Sequence, residues 1–229
     1  MSLLWREVYR KLIHIILSLL LFLPFFLPLP KPLNIYNYYS LGLLAAALIN
    51  SFVVKRSKLS LELDTLRREL HRFADSLGDK ARMPLTILEE AINDFHKFVE
   101  KQLALLERDY EKREGYVGLL YGMIGATISL LFDPCHTFYG IVALAVIDAV
   151  ASLSSLSIWR KGKTAGGELI ALTLYTILLL FLGMPLLQSL ILSTISTITE
   201  YFSPEDNLTV PVITTVSAMM LGFPSRCPL

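Results

Sequence analysis

An all-α, polytopic integral membrane bundle of about seven spans, carrying a cytoplasmic helical hairpin, is the fold class that this sequence predicts. Three observations predict it. The 229-residue chain is 54% hydrophobic and only 18% charged, well above the apolar share of an ordinary soluble domain. Its apolar residues fall in runs of sixteen or more separated by short polar loops, and about 20 residues at 1.5 Å rise cross a hydrocarbon layer. Its charges are segregated, with residues 55–113 holding 13 of the 21 Lys and Arg. The net charge of +1 therefore says less about partners than its distribution does.

The candidate spans run over 12–29, 37–54, 115–132, 138–158, 168–184, 186–201 and 208–223. The opening "MSLLWREVYRKLIHIILSLLLF" has the basic and apolar parts of a signal peptide. It has no small-x-small cleavage site and runs into Pro24, Pro28 and Pro30, so an uncleaved first span is expected. Between the second and third spans, Leu59, Leu63, Leu66, Leu70, Phe73 and Leu77 make a heptad seam, and Leu88, Ile92, Phe95, Val99, Leu103 and Leu106 make another. Two seams joined by "SLGDKARMP" predict an antiparallel hairpin packed on itself, with a homodimer contact or a membrane-surface lid as alternatives. Three parts follow: 1–54 with two spans, 55–113 with the hairpin, and 114–229 with five spans. Pro185, in "GMPLL", forces a turn between the fifth and sixth.

Alternate loops are basic. By the positive-inside rule this puts the N-terminus inside and the C-terminus outside. The hairpin, "WRKGKTAGG" and "SPEDN" then share the cytoplasmic face. Gly118 and Gly122 form a GxxxG expected to mark close helix packing. Two cysteines, Cys135 and Cys227, are too few for a disulfide framework, and Cys135 beside His136 has no further ligands for a metal.

Polar residues inside apolar runs need a reason. Asp148 sits within the fourth span, where a carboxylate is expensive unless it faces a polar cavity or a partner. Ser152 and Ser155 continue its face. The bland alternative is an Asp that is protonated or bonded to a neighbouring helix. Glu200 ends a stripe of Ser189, Ser193 and Thr197, although a carboxylate at a span end can also snorkel into water. Glu7, Arg10 and His14 share a helix side with Lys11 adjacent; a topology anchor would account for Arg10 and Lys11 but not for His14. The loop "WRKGKTAGGE" can bring backbone N–H groups and ammonium charge to phosphate, without being a Walker P-loop. In "SPEDN", Glu205, Asp206 and Asn207 stand together before an apolar run. Carboxylates hold Mg²⁺ while leaving positions for phosphate, and Lys and Arg neutralise a transferring phosphoryl group. The residues point to a membrane enzyme that brings a nucleotide from the cytosol to a lipid.

"ExxRKxxH" (Glu7, Arg10, Lys11, His14), "RxxE" (Arg108, Glu111) and "EDNLTVP" resemble motifs of the dolichol kinase and phytol kinase family. That family's nucleotide motif, D-x-x-A-x-x-x-G-x-x-x-G-x-x-K-K-T-x-E-G, aligns without a gap from Asp148 to Gly167. Asp148, Ala151, Lys163, Thr164 and Gly167 match it. Ser155 and Trp159 replace glycines, Gly162 replaces a Lys, and Gly166 replaces the Glu, with Glu168 the nearest acid two residues on. Glu205 stands where the family's C-terminal signature has Asp.

The resemblance implies a CTP-dependent kinase of a membrane isoprenoid alcohol such as a polyprenol or dolichol, using Mg²⁺. It implies that Asp148, Asp206 and Glu205 hold the metal or take the hydroxyl proton. Arg10, Lys11, Lys163, Thr164, Gly167 and Asn207 would bind the nucleotide. His14, Glu7, Arg108, Glu111, Ser152 and Glu200 are further candidates. The partners implied are CTP, the lipid alcohol and the membrane, with no nucleic acid. A cytidylyltransferase forming a CDP-lipid could use the same acids, and a degenerate lipid-binding relative would need none of them.

Overall fold

Proline, glycine and short polar side chains punctuate the apolar runs, and each interruption ends or starts a helix. The computed structural model describes residues 3–54, 94 and 117–229. Among these are seven α-helices and no strand: α1 (Leu3–Phe26), α2 (Ile35–Val54), α3 (Val117–Phe132), α4 (Thr137–Ser154), α5 (Ala165–Phe181), α6 (Leu186–Phe202) and α7 (Asp206–Met220). A π-helical turn, Ser155–Trp159, extends α4. The chain divides into two compact units, Met1–Leu48 with Val117–Leu229, and Ile49–Tyr116. The account below concerns the first; the hairpin expected over 55–113 lies outside the described residues.

Local chemistry explains the boundaries. Asn34 Oδ1 accepts the Asn37 amide at 2.8 Å and so caps α2. Asp133 Oδ1 accepts the Cys135 and His136 amides and starts α4. The Thr164 hydroxyl accepts the Gly167 amide at 3.1 Å and caps α5. Pro185 stands immediately before α6, where its missing N–H costs nothing. Each predicted span contains a helix. The first starts nine residues earlier than expected, because the turn with Arg6 to Lys11 is helical too.

The core is built on α4 and α7. Helix α4 packs on α1, α3, α5, α6 and α7, and α7 packs on α3, α4 and α6. Their closest approaches pass through glycine. A Cβ on Gly140 would stand 2.4 Å from Pro211 O and Thr215 Oγ1. One on Gly125 would stand 2.7 Å from Leu208 O and 2.8 Å from Asn207 O. Both glycines meet α7 around Pro211, which lies inside that helix and leaves the Asn207 carbonyl, four residues earlier, without its usual amide partner. Of the GxxxG pair expected to mark close packing, Gly122 makes no close contact, since a Cβ on it would meet nothing within 4 Å, whereas Gly125 does.

One end of the unit is tied by the C-terminal strand of chain. Cys135 and Cys227 form a disulfide, so two cysteines too few for a framework still make one staple. His136 bonds Asp133 Oδ2 and Phe223 O, both at 2.9 Å. The Tyr139 hydroxyl donates to Pro224 O, and the Arg226 side chain donates to Leu182 O. Among the described residues, one helix, Thr137–Trp159, is long and apolar enough to cross a membrane. Lys11–Phe26, Gly118–Phe132 and Ala165–Phe181 are shorter apolar helices.

Candidate functional site

At the opposite end of α4, Asp148 is 4% exposed. A buried carboxylate is tolerated only with a counter-charge and hydrogen bonds, and α1 supplies both. Lys11, itself 3% exposed, places its ammonium 2.5 Å from Asp148 Oδ1 across 137 residues of sequence. His14 Nε2 lies 3.6 Å from Asp148 Oδ2 and 3.2 Å from Leu144 O. Lys11 and His14 are three apart, so one helical face delivers both. The Ser152 hydroxyl donates to Asp148 Oδ1 at 3.5 Å. Ser155, expected on the same face, turns instead to Thr164 at 2.8 Å.

The loop after α4 is shaped by Trp159, Arg160 and Gly166. Its π-helical turn ends at Arg160, whose φ of 53° and ψ of 31° are left-handed, a strained conformation for a residue with a side chain. The Trp159 ring lies against Gly166, where a Cβ would come within 2.3 Å of it. A side chain at 166 would collide with the Trp159 ring, so Trp159 is matched by Gly166. A Cβ on Gly167 would fall 2.0 Å from Ser155 Oγ, so Ser155 needs a glycine at 167. Thr164 and Gly167 both build the start of α5 by these contacts.

That loop carries Lys163 over the first turn of α7. Its ammonium donates to Asp206 Oδ2 at 3.0 Å and to Glu200 O at 2.6 Å, and stands 2.9 Å from Glu200 Oε1. Burial alone would lower the Lys163 pKa, but the Asp206 and Glu200 carboxylates outweigh it and hold the pKa above the ordinary lysine value. Asp206 Oδ1 accepts the Asn207 amide at 2.9 Å, a favourable place for an acid at a helix N-terminus. Asn207 Oδ1 is buried without a protein partner.

Asp148, Glu200 and Asp206, from α4, α6 and α7, each bring a carboxylate oxygen within 4.8 Å of the others, all three side chains being buried. Glu200 takes the place in this group that was expected for Glu205, which precedes α7 as its flanking residue. Glu168 is a further acid, 6% exposed, whose carboxyl meets that of Glu200 across α5 and α6. The sequence pointed to Glu200 through its polar stripe, and to Glu168 only as a displaced acid. Glu7 and Arg10 are on α1, with side chains outside the described residues, as are Arg108 and Glu111 entirely. No family model, curated protein or solved structure matches the chain.

Proposed function

We propose that this chain is a membrane enzyme that transfers a phosphoryl group from a nucleotide, CTP, to the hydroxyl of an isoprenoid alcohol at the cytoplasmic face. The observation that carries the reading is the convergence of Lys11, Asp148, Lys163, Glu200 and Asp206, from four helices and a loop, on one place. Structural ion pairs need one carboxylate for each ammonium. Here four carboxylates, counting Glu168, face two ammonium groups, which leaves two negative charges to be balanced by protons or by a cation. An all-oxygen donor set suits Mg²⁺, held by Asp148, Glu200 and Asp206. When bound, the ion would neutralise charge on the transferring phosphoryl group.

The chain's own residues supply the rest. Lys163 reaches from an open loop toward the acids and is placed to follow a phosphate oxygen. Lys11 pairs with Asp148, and Asp148 is placed to accept the alcohol proton, with His14 beside its second oxygen. Arg160 and Lys161, exposed on the same loop, add positive charge for an incoming nucleotide.

The membrane reading rests on two further observations. Large apolar side chains face outward on α1 and α5, including Leu12, Ile16, Leu19, Leu169, Leu180 and Phe181. A single helix, α4, also separates Cys135 of the disulfide from the loop with Lys163, as α7 separates Asp206 from Cys227, and a disulfide belongs to an oxidising compartment. Both agree with the positive-inside orientation.

The test is to incubate purified protein with Mg²⁺, each labelled nucleoside triphosphate and a panel of polyprenols. Lipid phosphate and CDP are the expected products. Pyrophosphate with a CDP-lipid would replace the kinase reading by cytidylyl transfer, and no lipid product would remove both.

A further inference from the structure

Beyond Phe223, residues 224–229 cross the end of the unit without placing a side chain in its core. Phe223 itself is packed, 3% exposed. Pro224, Ser225, Arg226, Cys227 and Leu229 are exposed, and Pro228 is half-buried. Polar contacts hold the segment instead. The Tyr139 hydroxyl donates to Pro224 O at 2.8 Å, and the Arg226 amide donates to Cys135 O at 3.2 Å. The Arg226 guanidinium donates to Leu182 O at 2.8 Å and lies 5.5 Å from the centre of the Phe138 ring. The Leu229 amide donates to Pro24 O at 2.8 Å. That carbonyl has no amide of its own helix to accept, because Pro28, four residues on, carries no N–H.

Each such bond adds only a small net stabilisation in water, and ordering six residues of backbone opposes them all. Surface contacts of this kind do not fix a segment unaided. The covalent bond from Cys227 to Cys135 does. Its two ends differ in access. Cys227 lies on the exposed segment, whereas Cys135 is half-buried in the turn whose amides Asp133 accepts. Disulfides open by attack of a thiolate on whichever sulfur it can reach, and exposed bridges are the labile ones.

We propose that the Cys135–Cys227 bond is a thiol-exchange site for an external dithiol, and that opening it releases residues 224–229 as a strap. A thiolate of the dithiol attacks Cys227 Sγ, the S–S bond breaks, and its electron pair leaves on Cys135 Sγ. The second thiolate of the dithiol then displaces Cys227 Sγ and closes a disulfide within the reagent. The dithiol is oxidised by two electrons, and its two protons end on the two cysteines. Release takes the donors from Pro24 O and Leu182 O and uncovers the Tyr139 hydroxyl and the Phe138 ring. The site requires neither nucleotide nor lipid and is therefore independent of the kinase reading.

The experiment uses the purified full chain, folded and oxidised. Glutathione, a monothiol that halts at the first step, followed by iodoacetamide, should leave glutathione on Cys227 and the alkyl group on Cys135 in peptide mass spectra. Dithiothreitol should open the bond without denaturant and speed hydrogen exchange over 224–229 by about tenfold or more, while the α4 amides keep their protection. Cys135→Ser combined with Cys227→Ser should exchange as the reduced protein does. Thiols that appear only in denaturant, glutathione found on Cys135, or unchanged exchange over 224–229 after reduction would each overturn the proposal. Loss of protection in α4 together with the strap would overturn it as well, the bridge then being a staple of the whole unit.

Discussion

Two lysines do different work at Asp148 and Asp206, and substitution separates them. Lys11 and Asp148 are both buried, so Lys11→Met takes the ammonium away from a buried carboxylate and should cost about 3–5 kcal/mol. Lys11→Met with Asp148→Asn should recover much of that stability in denaturant unfolding. Neither protein should transfer phosphate, and Asp148→Asn alone should lower turnover at least about a hundredfold. Near-normal turnover in Asp148→Asn would remove this residue from the chemistry. Lys163 is about one-third exposed at its side chain, so Lys163→Met should cost less, about 1–2 kcal/mol, because solvent screens part of the interaction. Its raised pKa fixes the sign of the pH effect. The stabilisation is fully present below the ordinary lysine value and is lost as pH rises through the folded one. Wild type should therefore lose midpoint faster than Lys163→Met on the alkaline side, and parallel curves would contradict the pairing. Most of these residues were legible as single letters, since an acid or a base in an apolar run stands out. Their pairing was not, because Lys11 and Asp148 are 137 positions apart and no local spacing joins them.

At the scale of helices, glycine sets how closely α3 and α4 approach the start of α7. Gly125→Ala would press a methyl group against the Leu208 and Asn207 carbonyls, and backbone cannot step aside as a flexible side chain can. A cost of about 1–3 kcal/mol is expected, with weaker Mn²⁺ binding because Asp206 lies one turn away. Gly122→Ala is the control, since nothing lies near its Cβ, and it should be neutral or gain up to about 1 kcal/mol from helix propensity. Equal losses in the two variants, measured by thermal or denaturant unfolding, would mean that Gly125 is not the close contact. The sequence marked this helix as one built for close packing, yet Gly122 of its GxxxG pair makes no close contact and Gly125 does. GxxxG spacing identifies a face of α3, whereas the partner surface around Pro211 of α7 chooses the residue. Pairing of Trp159 with Gly166 is the same lesson, as the two residues become complementary only when the loop closes.

For the whole molecule, orientation is the quantity to test. The disulfide consumes both cysteines of the chain, so the oxidised protein offers no thiol of its own. Pro204→Cys is a better probe than Ser203→Cys, because Ser203 Oγ accepts bonds from Glu205 N and Thr209 Oγ1 while Pro204 is exposed. A membrane-impermeant thiol reagent should label it only from the cytoplasmic side. Labelling from outside would sink the proposed shared face. Removing both cysteines should cost about 2–5 kcal/mol, since the bridge closes a separation of 92 residues.

The amino-acid sequence by itself determined the helical class, the place of each described helix though not its ends, and the residue types able to hold a cation or a phosphate. These depend on neighbours within a few positions: apolar run length, Pro185 before α6, Thr164 at the start of α5. Only the tertiary structure decided that Glu200 rather than Glu205 joins Asp148 and Asp206, that Glu168 meets Glu200, that Gly125 rather than Gly122 touches α7, and that Cys135 bonds Cys227. Each of those depends on how helices rotate and approach, which is set by packing over the whole bundle, and a one-dimensional pattern does not carry that rotation.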